Sequence, residues 1–242
     1  MNIFAHPAQP AGRRRRVRSR LSLVGALVLT YGAVPGAAQV VPIDEATYRL
    51  SRNGSVIGEE SITIHRLGLG GDARIIGQSE ISFRDGSRSR PRLEATTDLR
   101  PTIYRNEFTG AEEAEVVVSR VGRRFVSRSR SAAGEAQREF PASGTTAILE
   151  PEVVLLYYFL QPWIRTDGAE ITALDPRSSV RRQVTMTVLG SEEVRVGRNP
   201  IQARHLRLEG NDSRWEMWVD EDGRILRVGI PSTGFQAERL PE

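Results

Sequence analysis

Histidines and carboxylates are the side chains in this sequence whose types could do chemistry, and their spacing gives them little to work with. The chain has three histidines and no cysteine. His65 and His205 lie far apart, without the clustered nitrogen and sulfur ligands that a zinc site needs, so no metal is expected. Glu59, Glu60 and Glu216 are of the type used for general acid/base catalysis, but nothing in their spacing pairs any two of them. No Gly-x-Ser-x-Gly elbow is present to present a nucleophile. Gly68-Leu69-Gly70-Gly71 lacks the lysine and following helix of a phosphate cradle and reads as a hairpin loop. Asp220-Glu221-Asp222-Gly223 has a calcium-like composition without the rest of an EF-hand loop. No catalytic residue, metal ligand or cofactor is assigned.

What remains is a binding chemistry, and it is apolar. Leu149 to Arg165 reads LEPEVVLLYYFLQPWIR, the longest apolar run outside the N-terminal leader. Its flanks predict a helix over Pro151 to Gln161. Proline is tolerated at a first helical position, and Glu150 and Glu152 would sit at the positive end of the helix dipole. Pro162 disfavours the helical conformation at Gln161 and stops the element. Such a helix spans roughly 16 Å at about 1.5 Å per residue, well short of a bilayer core of roughly 30 Å. Being apolar all round, it must be covered on most sides. It reads either as a core helix or as one wall of an apolar cavity. In the second case Leu155, Leu156, Tyr158, Phe159 and Trp163 are the expected ligand-binding residues, the tyrosine able to keep its hydroxyl at a rim while burying its ring.

Residues 1–38 have the organisation of a cleaved export signal. Arg13, Arg14, Arg15, Arg16, Arg18 and Arg20 form a basic region, Leu21 to Val34 a short apolar one, and Gly36 and Ala38 the small residues before a cleavage point at Gln39. The protein is therefore expected to be periplasmic or secreted and, after cleavage, not an integral membrane protein. The leader also accounts for the basic balance. The net charge is +4, and removing those six arginines leaves residues 39–242 at −2, so nucleic acid is not an expected partner. Without cysteines there are no disulfides, and about 200 residues suffice for one domain, 39–242, held by its own core.

The elements around the apolar run alternate with the period of half-buried strands. Tyr48 and Leu50, Ile62 and Ile64, Ile81 and Phe83, Phe108, Val184, Met186 and Val188, and Trp215 and Met217 are expected to share one interior. Asn53-Gly54, Asp85-Gly86, Val121-Gly122, Asp167-Gly168, Asn199-Pro200 and Asp220 to Gly223 read as turns, and serial hairpins indicate an antiparallel meander. The arginine- and serine-rich positions, densest over Ser127 to Ser131, read as a solvated face.

The order of these features resembles an uncharacterised exported bacterial family, a domain of unknown function. The resemblance rests on Tyr48-Arg-Leu-Ser-Arg-Asn-Gly-Ser-Val-Ile-Gly-Glu-Glu60, on Leu99-Arg100-Pro101 with Tyr104, and on Glu150 to Leu160. It continues in Val188-Leu-Gly-Ser-Glu-Glu-Val194 and Trp218-Val-Asp-Glu-Asp-Gly-Arg-Ile-Leu226. That family is similar to the LolA-like lipoprotein carriers and the VioE-like enzymes. The resemblance implies an all-β fold, a curved antiparallel unclosed barrel wrapped around one short central helix. It carries over no catalytic motif. The expected function is a periplasmic binding or carrier module for an apolar or lipid-like ligand. The alternatives are an envelope structural or interaction module that meets another envelope protein, and a cofactor-free enzyme.

Overall fold

The computed structural model describes residues 39–110 and 113–241, so the leader expected at 1–38 lies outside the described residues. The opening hairpin pairs β1 (Val40–Arg52) with β2 (Ser55–Leu67). Asn53 and Gly54 turn it with φ of 49° and 78°, the positive pair that an Asn-Gly turn supplies without steric cost. β3 (Arg74–Phe83), β4 (Arg88–Ser89), β5 (Arg92–Thr96), β6 (Pro101–Thr109), β7 (Ala114–Val121), β8 (Arg124–Ser131) and β9 (Gly134–Pro141) follow as a meander, β4 and β5 sharing the edges of β3 and β6. β10 (Thr146–Ile148) leads into the apolar run. β11 (Ala169–Asp175), β12 (Val180–Val196), β13 (Asn199–Gly210), β14 (Ser213–Val219), β15 (Ile225–Ile230) and β16 (Phe235–Arg239) complete the sheet.

All sixteen strands belong to one sheet, and β16 pairs with β1, so the two ends of the described chain meet in its middle. A buried bidentate pair reinforces that junction. Arg239 of β16 donates to both carboxyl oxygens of Asp44 in β1, at 3.0 and 2.8 Å, and to the Glu45 carbonyl. The path starts at β10 and runs round to β6, where the two strands come close, but among the described residues no backbone ladder joins them. The barrel is therefore not closed. β7 to β9 continue past the seam, burying Val116, Val118 and Phe125 while leaving no residue of β9 buried. One pairing departs from the expected antiparallel rule. β10 and β11 run parallel, because the whole apolar segment between them crosses over before the chain returns.

The expected interior is observed. Tyr48, Leu50, Ile62, Ile64, Ile81, Val184, Met186, Trp215 and Met217 are buried in one cluster, with Phe83, Phe108 and Val188 half-buried against it. Asn199 and Pro200, expected as a turn, open β13 instead; Gly197, at φ 60°, makes that turn with Arg198. No helix among the described residues is long and apolar enough to cross a membrane.

Candidate functional site

The apolar run folds as a plug inside the barrel, with a shorter helix than expected. Only Val154–Tyr158 (α1) is α-helical, and the chain from Phe159 to Arg165 continues in turns. Pro151 and Glu152 form a turn ahead of the helix, and neither they nor Glu150 cap it. That position is taken from another strand. Glu60, fully buried in β2, receives the Val154 amide on Oε2 at 2.8 Å and the Leu155 amide on Oε1 at 3.1 Å. Ser79 of β3 donates to Oε1 at 2.9 Å. A long-range carboxylate thus satisfies amide donors that a helix start leaves open. Burial pushes the Glu60 carboxyl up to about 7, against the opposing pull of the Leu155 and Val154 amides and Ser79.

Further contacts hold the plug. Arg52 clasps both oxygens of Glu152 at 2.6 and 2.7 Å. Gln161 donates to the Gly223 carbonyl, and Arg204 donates to the Ile164 carbonyl at 3.0 Å. On its inner side the helix is pressed against β3 at Gly77. A Cβ there would lie 2.8 Å from Leu155 Cδ1 and 2.9 Å from Phe159 Cε2, so only glycine lets the plug seat this deeply.

Glu150, near the start of the plug, is a further buried carboxylate. Asn106 of β6 donates to its Oε2 at 3.1 Å, bridging the open seam, and Ser89 of β4 donates to the Asn106 Oδ1 at 2.7 Å. Glu150 Oε1 has no hydrogen-bond partner, and the nearby Tyr104 hydroxyl is likewise without one. Burial pushes the Glu150 carboxyl up to about 7; Tyr104, Asn106 and Arg177 draw it down and Asp175 adds to the rise.

Glu150 lines a cavity of about 460 Å³ at the N-terminal end of the helix. Its apolar walls are Ile81, Phe83, Phe108, Val153, Trp215 and Ile230, from four strands and the plug. Its polar lining includes Ser89, Glu152, Asp175, Arg177, Arg182 and Asp212. The volume falls in the range of small-molecule sites, and the lining joins apolar walls to more polar and charged side chains than such sites usually carry. A hollow of about 500 Å³ over β7 to β9 is lined by exposed Arg105, Arg128, Arg130 and Glu135 and has no buried polar group without a partner.

Leu155, Leu156 and Phe159 are fully buried in the core, while Tyr158 and Trp163 are half-buried against it. Tyr158 meets Phe159 edge-on at 5.6 Å. None of the five lines the cavity, which the plug meets only through Glu150 to Val153. The acid/base candidates are not gathered either. Glu59 is exposed on β2, next to buried Glu60. Glu216 is on β14, beyond β15, β16 and β1 in the sheet order. Partial burial would raise Glu216, but Arg214, His205 and Arg207 outweigh it and hold it below its usual range. His205 stacks on Trp218 at 4.3 Å, and its Nε2 lies 3.5 Å from Glu216. His65 stays apart on β2.

Sequence reasoning named Glu60 only as an unpaired acid/base candidate and Glu150 only as a helix-dipole residue, and it missed Ser79, Ser89 and Asn106; all five are buried. For three of them a signal existed. Glu60 is in phase with Ile62 and Ile64, Ser79 with Ile75 and Ile81, and Asn106 with Tyr104 and Phe108. A polar residue in core phase is an anomaly that period-2 reading can expose.

No family model matches this chain, and no curated protein matches it. Among solved structures, the chain is similar to a beta-barrel-like protein of domain of unknown function DUF1849 from Brucella abortus. That match has a TM-score of 0.57 and 11% identity, covering 84% of this chain and 98% of the other. At that identity the likeness is one of fold, an all-β barrel-like domain.

Proposed function

We propose that this is an exported binding or carrier module for an apolar or lipid-like ligand, held in the cavity at the N-terminal end of α1. The observation that carries this reading is the joining, in one hollow, of the aromatic walls Phe83, Phe108 and Trp215 with Glu150, a buried carboxylate one of whose oxygens has no hydrogen bond in the protein. Both features are costly to an isolated fold and useful to a binding one. The reading assigns ligand contact to the cavity walls, with Leu155, Leu156 and Phe159 as the packed floor that keeps those walls in place. Export rests on the tripartite residues 1–38, and the LolA-like or VioE-like relation remains part of the proposal. Titration with N-phenyl-1-naphthylamine, a neutral apolar fluorophore, tests the site. Saturable binding to the folded protein, lost in Phe108→Asp and Trp215→Ala variants that still unfold cooperatively, is expected. Absence of saturable binding to the folded wild type would sink the reading. N-terminal sequencing of exported protein should begin near Gln39; a chain retaining Leu21 to Val34 would remove export.

A second reading, an envelope interaction module, is favoured by β9. It pairs on one side only, with β8, and its other edge has no strand neighbour among the described residues. Such an edge can accept a strand from another chain. Gln137→Pro should abolish such pairing and leave fluorophore binding unchanged.

A further inference from the structure

The charges of the cavity are sorted in a way that selects the polar end of a ligand. Four carboxylates line it, Glu150, Glu152, Asp175 and Asp212, against two cations, Arg177 and Arg182. Most of these are already engaged. Glu152 is held by Arg52. Asp175 accepts from the Ser178 hydroxyl at 2.5 Å and the Ser178 amide at 3.1 Å, with Arg182 at 3.5 Å. Arg177 lies over Phe108, its guanidinium carbon 4.4 Å from the ring centroid.

Glu150 is different. It is 4% exposed, and Oε1 has no donor. One more donor lies beside it, the Tyr104 hydroxyl, which draws the carboxyl down but makes no hydrogen bond in this structure. The Asn106 amide is given to the other oxygen, and the Ser89 hydroxyl is given to Asn106. A buried acceptor left in this state is unfavourable until something donates to it. Above about pH 7, where Glu150 is ionised, a ligand carboxylate or phosphate would set oxygen against oxygen here, with Asp175 adding to the repulsion. An ammonium group would do the opposite, giving the missing donor and balancing the excess of carboxylates. Phe83 and Trp215 in the same lining are the wall type that attracts an ammonium through the ring face, while Phe108 already carries Arg177.

Resting on the reading of this cavity as the ligand site, we infer that its occupant is a single-chain amphiphile whose polar end is an ammonium, seated on Glu150 with its apolar body against Phe83, Phe108 and Trp215. An anion attached close to the nitrogen is disfavoured, because it would fall among Glu152, Asp175 and Asp212.

The test is calorimetric titration of the purified protein with decylammonium, decanoate and decanol, three ligands of one chain length that differ in their polar ends. Decylammonium should bind at least about tenfold more tightly than either of the others, one decade being the resolvable step in affinity. Glu150→Gln, nearly isosteric, should bring decylammonium to within a few-fold of decanol, with the urea midpoint showing that the variant is folded. Decanoate binding as tightly as decylammonium in the wild type would overturn the ammonium assignment while leaving a ligand site. So would decanol binding as tightly, or discrimination that survives in folded Glu150→Gln. If none of the three binds, the reading of the cavity itself fails. The wild-type ranking decides the matter even if the variant does not fold.

Discussion

The two ends of one short plug differ sharply. Under α1, Leu155 and Phe159 meet Gly77 so closely that an added methyl group has no room. At its N-terminal end, a few residues away, Glu60, Glu150, Asn106, Ser79 and Ser89 are all buried, and about 460 Å³ stays open. The first region follows the rules of a stable core, with dense packing and no polar atoms. The second breaks them, burying two carboxyls whose ionisation burial opposes and leaving one oxygen unpartnered. Where a fold departs from local rules without an evident compensating gain, function or strain is the expected reason. The apolar residues of the plug therefore read as structure, and the polar anomalies beside it as the site.

Substitution on the packed side is the strongest way to probe this contrast. Phe159→Ala should cost about 3–5 kcal/mol, since it removes a fully buried ring and leaves a cavity. Phe108→Ala, at the half-buried wall, should cost clearly less in the same urea titration. Equal losses at the two phenylalanines would erase the distinction between plug and mouth.

The next effect is a pH dependence confined to the polar end. Burial raises Glu60 and Glu150 from 4.5 to about 7 in the folded protein. The folded state then holds protons that the unfolded chain gives up. The contribution is fully present below about 4.5 and is lost as pH rises through about 7, on the order of 3 kcal/mol for each carboxyl. Urea midpoints should fall between pH 5 and pH 8, and Glu150→Gln should remove its share of the slope. A wild-type midpoint that rises over that interval would mean that the donors around Glu60 outweigh its burial. Gly77→Ala returns to the packed side with a smaller loss, about 1–3 kcal/mol from overpacking. An unchanged midpoint there would show that Leu155 and Phe159 have room to move.

The contrast also marks what the sequence could reveal. Alternation exposed the interior, because residues such as Tyr48, Ile64 and Met217 are large, apolar and in phase. It did not expose β9, whose sequence GEAQREFP buries nothing and so carries no period, nor the short β10 or the largely buried β11. The apolar run was visible as a plug, but its side chains drew the binding assignment to themselves. The site beside it is built from residue types that usually face water. Glu60 and Asn106 betray themselves only by phase, and Glu150, lying between strand and helix, has no phase to read. The cap on α1 was out of reach too, since it arrives from a strand 94 residues away in sequence.

The smallest stability effect is expected at the rim, where it should come with a visible change in binding. Arg177 is exposed, and its stacking on Phe108 is worth about 0.5–1 kcal/mol for a cation over an aromatic face at such a position. Arg177→Ala should therefore move the urea midpoint little. The same guanidinium draws the Glu150 carboxyl down, so its loss should raise the pH at which Glu150 ionises. It also removes a positive charge from the cavity lining that an ammonium ligand must approach. Decylammonium should then bind the variant a few-fold more tightly once the pH is high enough to ionise Glu150 in both proteins. The alternative outcome is equally readable. If Arg177→Ala weakens decylammonium and abolishes decanoate binding, the guanidinium is the group that seats the ligand. The mouth would then be an anion site with Glu150 as a bystander. In either case a rim residue alters binding at almost no cost to the fold, which no residue of the packed plug can do.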